Sequence, residues 1–579
     1  MTTATHSSPR FELKTIGRRH GRALAVLALY CTTSVVLFGW RIASHPGRGI
    51  IGILTDPEIY IWSAAWWAHA LRTFTNPFVS HAAYYPVGAN LMWTATAPGL
   101  GLALVPLTLL VGPTAAYNIA IALLPGLAAW TAFLLCRYVS GSTWGSIAGG
   151  YLFGFSSFIV AHVYGGDPNL TPVLAPLAAL FVLRYLRADL ETRGLVWRLG
   201  LVLAIQFAIS TELALTMTFA LALALVIAYA VSSDSRARIV SAVPAIVGAY
   251  AAAIVIAAPF VYYTLTDLQT GRFVPVIPDS DVLNFVVPTH LIAVGGSTFS
   301  DVTRRFATSI VDSDLYIGIP TLVIVALFAW RQRRTAGARF LLASLLAGCI
   351  FALGASLRYE GHRVLALPWA LVAKAPFFGN VIPGRLIAYA LLSVSVVVAL
   401  WVSSSRRRVA TVVLPALALL SIFPATWRDG FVTRPVRPEF FAHGLYKLCI
   451  PRGETLVVFP YGRFGDSMLY QAESGFWFNL AEGNLGRDTY PPRFVFADDT
   501  VNALQFYWYG PGPRPTMAAL KTYAKRRHVD RVVTLQSSPY PDSTQMNAFG
   551  PLQIIGGVDV SPACGYDSLA GDTRRIPGQ

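Results

Sequence analysis

The chain has 579 residues, 55% of them hydrophobic and only 13% charged, with a net charge of +16. A soluble domain carries about a quarter charged residues, so this balance excludes an ordinary soluble protein. It also argues against a nucleic-acid binder, because the arginines fall in short clusters between long apolar runs rather than along one basic face.

The first cluster, Arg18, Arg19 and Arg22, precedes the apolar run Ala23 to Trp40. No small-x-small cleavage site follows it, so it reads as an uncleaved first helix with a cytoplasmic N-terminal tail, residues 1–22. Further apolar segments are expected at 97–112, 114–136, 144–161, 170–187, 196–210, 211–231, 238–265, 313–330, 339–356, 383–403 and 408–425. Runs of about 18 or more apolar residues are needed for a helix to cross the hydrocarbon. Helices alone satisfy their own backbone groups there.

Arginines cluster at 184, 187, 193 and 198, at 331, 333 and 334, and at 406–408. Such clusters mark cytoplasmic loops and draw anionic headgroups. The loops 41–96, 162–169, 266–312 and 357–382 then lie outside, together with everything after 425. For the parity to work, the short, proline-bearing segment 97–112 must re-enter or span only in part, leaving eleven full crossings. The fold expected is an α-helical polytopic membrane protein of about 11–12 segments (residues 23–425), with a C-terminal extracytoplasmic α/β domain (426–579).

The first outer loop contains Pro57 to Phe74, an amphipathic stretch whose Trp62, Trp66 and Trp67 suit a membrane interface. In the C-terminal part, Glu454 to Tyr461, Arg493 to Ala497 and Asp530 to Leu535 read as short strands, the last preceded by a helical stretch. Cys449 and Cys564 lie in this part and are candidates for a disulfide. Cys31, Cys136 and Cys349 lie in or beside apolar runs and read as packing residues.

Ionisable groups at the outer helix ends are the candidates for function, because charge near the hydrocarbon is costly. Asp56 and Glu58 open the first-loop helix, where Asp56 followed by Pro57 also fits a plain helix cap. His162 stands with Asp167 in AHVYGGDPNLTP, Glu212 interrupts a continuous apolar stretch, and Lys374 and Arg385 lie in AKAPFFGNVIPGRLIAY. A cation at an outer helix mouth can hold a phosphate, arginine bidentately. No Gly-rich phosphate loop, Ser-His-Asp pattern or zinc spacing is present, and the cytoplasmic loops are too short for a nucleotide-sugar domain. An enzyme of this layout would draw its activated group from a membrane lipid.

The stretches TDPEIYIWSAAWWAHAL, NPFVSHAAYYPVGANLMWTATAP, YLFGFSSFIVAHVYGGDPNL, LNFVVPTHL, ALGASLRYEGHRVLALPWALVAKAPFFGNVIPGRL and VVFPYGRFGDSMLYQAESGFWF, in this order, resemble one bacterial branch of the GT-C superfamily of membrane glycosyltransferases. The resemblance implies a polyprenyl-phosphate-sugar donor, transfer on the outer face of the plasma (inner) membrane, and a glycan, glycolipid or protein acceptor. It makes Asp56 the matching catalytic base, with Glu58 as the alternative. His162, Asp167 and Glu212 are supporting residues by placement, and Arg385 and Lys374 are candidates for the donor phosphate. A divalent metal (Mg or Mn) between Asp56 and Asp167 is a further candidate. Aromatic residues Tyr461, Trp477, Tyr507 and Trp508 are candidates to stack on sugars. The rival readings are a lipid-linked-sugar flippase, for which no internal repeat is found, and a non-catalytic assembly protein.

Overall fold

A computed structural model describes residues 9–53, 56–268, 279–405, 407–428, 430–459, 465–486, 500 and 516–534. Among these, eight helices are long and apolar enough to cross a membrane: Gly21–Ile42, Pro113–Ser140, Thr143–Gly165, Pro168–Leu186, Thr192–Ile209, Thr211–Val231, Ser233–Ile256 and Pro383–Ser404. Four shorter apolar helices, Pro98–Val111, Ile319–Gln332, Ala336–Ala352 and Val409–Ser421, complete the set. Each corresponds to one expected segment, and the chain is an integral membrane protein. The helix Pro98–Val111 has 14 residues and an internal Pro106. At 1.5 Å per residue it reaches about 21 Å, short of the roughly 30 Å hydrocarbon core.

Two of the expected segments differ in their bounds. The run 238–265 is split into Arg236–Ile256 and Ala258–Thr266, because Pro259 supplies no amide hydrogen to continue the first helix. The expected segment 313–330 begins instead at Ile319. The residues before it, 313–318, are buried and non-helical and carry Asp314, with Asp312 in the turn that precedes them.

The centre of the bundle is built on backbone contact. A Cβ on Gly149 would lie 2.6 Å from the carbonyl oxygen of Ser395, and one on Gly145 would lie 2.7 Å from that of Ala399. Small residues at such crossings let two helices approach without a large side chain between them. A second, smaller core joins Ala175, Leu195, Leu199, Ala242, Ala249 and their neighbours on the helices following residue 168.

The first-loop helix spans Asp56–Thr73 and is buried along most of its length. Its tryptophans do not lie in a lipid interface, as the sequence led us to expect. Trp62, Trp66 and Trp67 are 0%, 6% and 2% exposed. The C-terminal part covers Trp62 and Trp66, both packed on Phe476, while Trp67 packs on Phe78 and Phe260. Trp62 Nε1 donates to Gln471 Oε1 (2.7 Å), and Gln471 Nε2 donates to the carbonyls of Ala82 (2.7 Å) and Phe478 (2.9 Å). The described portion of that part holds a three-stranded parallel sheet, with Thr455–Phe459 between Asn479–Leu480 and Arg531–Thr534. The edge strand is bonded to the first loop through Leu480 N to Ala82 O (2.7 Å) and Tyr85 N to Leu480 O (3.0 Å).

Candidate active site

The first wall of the site comes from two loops held together by glycine. Gly52 has φ +114° and Gly166 has φ +89°, a region open to glycine at no steric cost. A Cβ on Gly52 would lie 2.7 Å from Gly166 Cα, and one on Gly166 would lie 2.4 Å from Pro57 Cγ. Backbone thus meets backbone, and Asp56-Pro57 is set against Gly166-Asp167. Tyr117 pins both loops, its hydroxyl donating to the carbonyls of Ile51 (2.8 Å) and Gly166 (3.1 Å). Ile53 N also bonds to Tyr164 O (2.8 Å). Gly166 ends its helix as a left-handed cap, with Gly166 N and Asp167 N both bonding to His162 O at 2.9 Å.

Asp56 is exposed and opens its helix, where the positive end of the helix dipole favours a carboxylate. One turn on, the buried Tyr60 hydroxyl donates to Asn169 Oδ1 (2.7 Å) and lies 3.3 Å from Asp167 Oδ1. Burial, with the Asp56 carboxylate as the next cause, pushes the Asp167 carboxyl up to about 8, and Arg385 opposes this. A neighbouring carboxylate and burial thus act together to favour the protonated form of Asp167.

The second wall is an ion pair. Glu212 sits in the first turn of Thr211–Val231 and accepts from Ile382 N (3.1 Å), while its other oxygen is bound by Arg385 Nη1. The two side chains are 22% and 16% exposed. Arg385 lies in the turn Pro383–Leu386, and its neighbour Gly384 lets the turn close onto the Asp312–Asp314 stretch. A Cβ there would be 3.2 Å from Ser280 Oγ and 3.8 Å from both Asp312 O and Asp314 Oδ1.

His162 and Asp314 lie beneath these walls, 1% and 2% exposed and 3.8 Å apart. His162 Nδ1 is 2.8 Å from Phe158 O. Among the described residues, His162 Nε2 and Asp314 Oδ1 have no hydrogen-bond partner. Burial and the nearby Asp312 carboxylate hold the Asp314 carboxyl well above the usual carboxylate range. The charge of Asp312 also acts on Asp167 and Arg385.

Asp56, Asp167, Glu212, Arg385 and His162 therefore share one neighbourhood, joined by Asp312, Asp314 and Tyr60. Reasoning from sequence passed over those three. The available signal was the pair of acids in SIVDSD, of which Asp314 fell inside an expected apolar segment, an expensive place for charge.

Other candidates lie elsewhere. Glu58, two residues after Asp56, is buried against the C-terminal part. Burial and then a hydrogen bond shared with Asp466 raise its carboxyl well above the usual range. Lys374 is exposed, with no bonded partner among the described residues. Trp477 donates to Ile450 O (2.8 Å) and packs on Tyr446, which makes it part of a local core. Tyr461, Tyr507, Trp508, the expected strand 493–497 and Cys564 of the Cys449–Cys564 pair lie outside the described residues. Among the described residues no three His, Cys, Asp or Glu side chains are placed to hold a metal ion.

An apolar cavity of about 500 Å³ runs between the helices next to the turn that carries Arg385. It is lined near the site by Met217, Phe219, Phe351, Leu386 and Tyr389, and at its far end by Arg187, Gln332 and Thr335.

Residues 26–423 match the model of a family described as Domain of unknown function (DUF6311). No curated protein matches the sequence. Among solved structures, arabinofuranosyltransferase AftD from Mycobacteria is similar over 88% of this chain, at 16% identity and a TM-score of 0.52. The chain spans only 35% of that protein's length. ArnT from Cupriavidus metallidurans matches over 93% of this chain and 100% of its own, at 12% identity and a TM-score of 0.49. The archaeal oligosaccharyltransferase AglB from Archaeoglobus fulgidus matches over 89% of this chain and 69% of its own, at 14% identity and a TM-score of 0.44. The fold is that of a GT-C-type membrane protein.

Proposed function

We propose that this chain, which belongs to the DUF6311 family, is a membrane glycosyltransferase that moves a sugar from a polyprenyl-phosphate carrier to an acceptor hydroxyl on the outer side of a bacterial plasma membrane. One observation carries the reading. Asp56 and Asp167 are neighbours across the Gly52–Gly166 contact, beside the Arg385–Glu212 pair, and Leu386 and Tyr389, which follow Arg385 in the chain, line an apolar cavity. A lipid-linked substrate needs both parts, a polar head site and an apolar place for a chain close to it. The likeness to an arabinofuranosyltransferase agrees with sugar transfer.

In this reading Asp56 takes the proton of the acceptor hydroxyl as its oxygen attacks the anomeric carbon. The bond from that carbon to the lipid phosphate oxygen breaks, the phosphate leaves with the electron pair, and the configuration inverts. Asp167, protonated at neutral pH, offers a hydrogen bond without placing a second negative charge beside Asp56. Arg385 faces the charge that develops on the leaving phosphate, with Glu212 fixing its direction. Lys374 is left out of this step because it is exposed and touches none of the cluster. This reading routes no step through a metal ion.

The same geography supports one orientation. The arginines at 184, 187, 331, 333, 407 and 408 lie at the helix ends opposite Asp56, Glu212 and Arg385, which supports a cytoplasmic N-terminus and an outer site. The test is Asp56→Asn in the producing cell, with surface glycan and glycolipid composition as the readout. The product should disappear while the protein stays at its normal level. Unchanged product would remove the enzyme reading, and intact lipid-linked sugar accumulating on the inner face would favour a flippase.

A further inference from the structure

Residues 353–386 join the apolar helix Ala336–Ala352 to the apolar helix Ile387–Ser404 at the end of the bundle that holds Arg385. Whatever this segment does, it does at the edge of the hydrocarbon. It opens as a hairpin, Ser356–Tyr359 paired with His362–Ala366, and every residue of the second strand is exposed. Tyr359, Val364, Leu365 and Leu371 are 52%, 58%, 49% and 71% exposed.

The exposure is not fraying. Asp279 accepts from Ala355 N (2.7 Å) and from Ser356 Oγ, and Asp281 Oδ2 accepts from Gly361 N (2.7 Å). Behind the hairpin, Trp369 is buried among Phe219, Phe351 and Phe378. A rigid hairpin that shows valine and leucine to water invites edge pairing and aggregation. Beside two membrane-helix ends, the same residues are what an interfacial segment presents to lipid.

Charge indicates which lipid. The one acid of residues 353–386, Glu360, is bound by Arg305 at 2.6 Å. Arg363 and Lys374 are exposed, and their side chains have no bonded partner among the described residues. The surface therefore alternates apolar side chains with uncompensated cations. Long basic side chains can run along apolar surface and place their charge at headgroup level.

We propose that the hairpin 356–366 and the turn carrying Lys374 form a membrane-interface anchor for anionic phospholipid. Tyr359, Val364, Leu365 and Leu371 sit at the acyl boundary, and Arg363 and Lys374 hold headgroup phosphates. This surface is separate from the Asp56 site and stands whether or not that site transfers sugar.

The test uses the full chain with the photoreactive residue p-benzoylphenylalanine in place of Leu365, in nanodiscs of phosphatidylcholine with a known minor fraction of phosphatidylglycerol. Irradiation should give lipid adducts in which phosphatidylglycerol exceeds its bulk fraction about fivefold, the effect expected of a cation at an anionic surface. Adding Arg363→Gln and Lys374→Gln should return the adducts to the bulk fraction with the total yield unchanged. No lipid adduct at position 365 would overturn the anchor. Adducts at the bulk fraction in the otherwise unsubstituted chain, or an excess that survives loss of both cations, would overturn its anionic selectivity.

Discussion

Asp56 and Glu58 stand two residues apart on one helix, and the fold gives them opposite surroundings. Asp56 is exposed beside Asp167 and Arg385, while Glu58 is enclosed against Asp466 and Glu473 of the C-terminal part. Two residues along a helix turn a side chain by about 200°, so one acid lies beside Asp167 and the other faces the cover. Glu473 is itself held by Arg437 (2.8 Å) and accepts from Thr114 Oγ1 (2.8 Å). The Glu58 side thus joins the membrane bundle to the C-terminal part, and the Asp56 side stays open for chemistry.

The largest way to break this comparison is on the Asp56 side. Arg385→Met leaves Glu212 in a mostly buried place without its cation, which costs on the order of 2 kcal/mol or more. Transfer should fall by more than about tenfold because the leaving phosphate loses the cation that faces its developing charge. The double variant Arg385→Met/Glu212→Gln should recover stability in a thermal melt but not activity. Recovery of both would make the pair structural.

Gly166→Ala should come next. It forces a Cβ into Pro57 at a positive φ, with strain of about 1–3 kcal/mol. The melting temperature should drop, and transfer should drop further because Asp56 and Asp167 separate. A variant as active and stable as the parent would show that the loop contact does not position the acids.

A smaller effect is expected from pH. Asp167 binds its proton up to about 8, so raising pH through that value ionises it and sets a second negative charge beside Asp56. The transfer rate should show an alkaline limb near pH 8, and Asp167→Asn should flatten that limb. A limb unaltered by Asp167→Asn assigns it to another group. The least effect belongs to Glu58→Gln, which keeps the shape and hydrogen bond of a protonated carboxyl. Activity should stay within severalfold of the parent. A loss comparable to that of Asp56→Asn would exchange the roles of the two acids.

Much of the fold was legible because the hydrocarbon imposes length and composition on each helix. The dozen apolar segments follow from that constraint. The site was legible only in part. Asp56, Asp167, Glu212 and Arg385 were visible because charge at a helix end has few bland explanations. Their convergence was not, since it depends on Gly52 and Gly166 adopting positive φ and on Tyr117 tying two distant loops. The tryptophans of the first-loop helix were misplaced for a similar reason. An amphipathic pattern shows that a face is covered, but not whether lipid or Gln471 and its neighbours cover it.

The most direct measurement gives the purified full chain, in proteoliposomes, a labelled polyprenyl-phosphate sugar and carbohydrate acceptors, and follows both halves of the donor. The account predicts free polyprenyl phosphate released in step with label appearing on acceptor, with inverted configuration at the anomeric carbon. Donor that stays intact, or that merely changes leaflet across the acceptors tried, would contradict it.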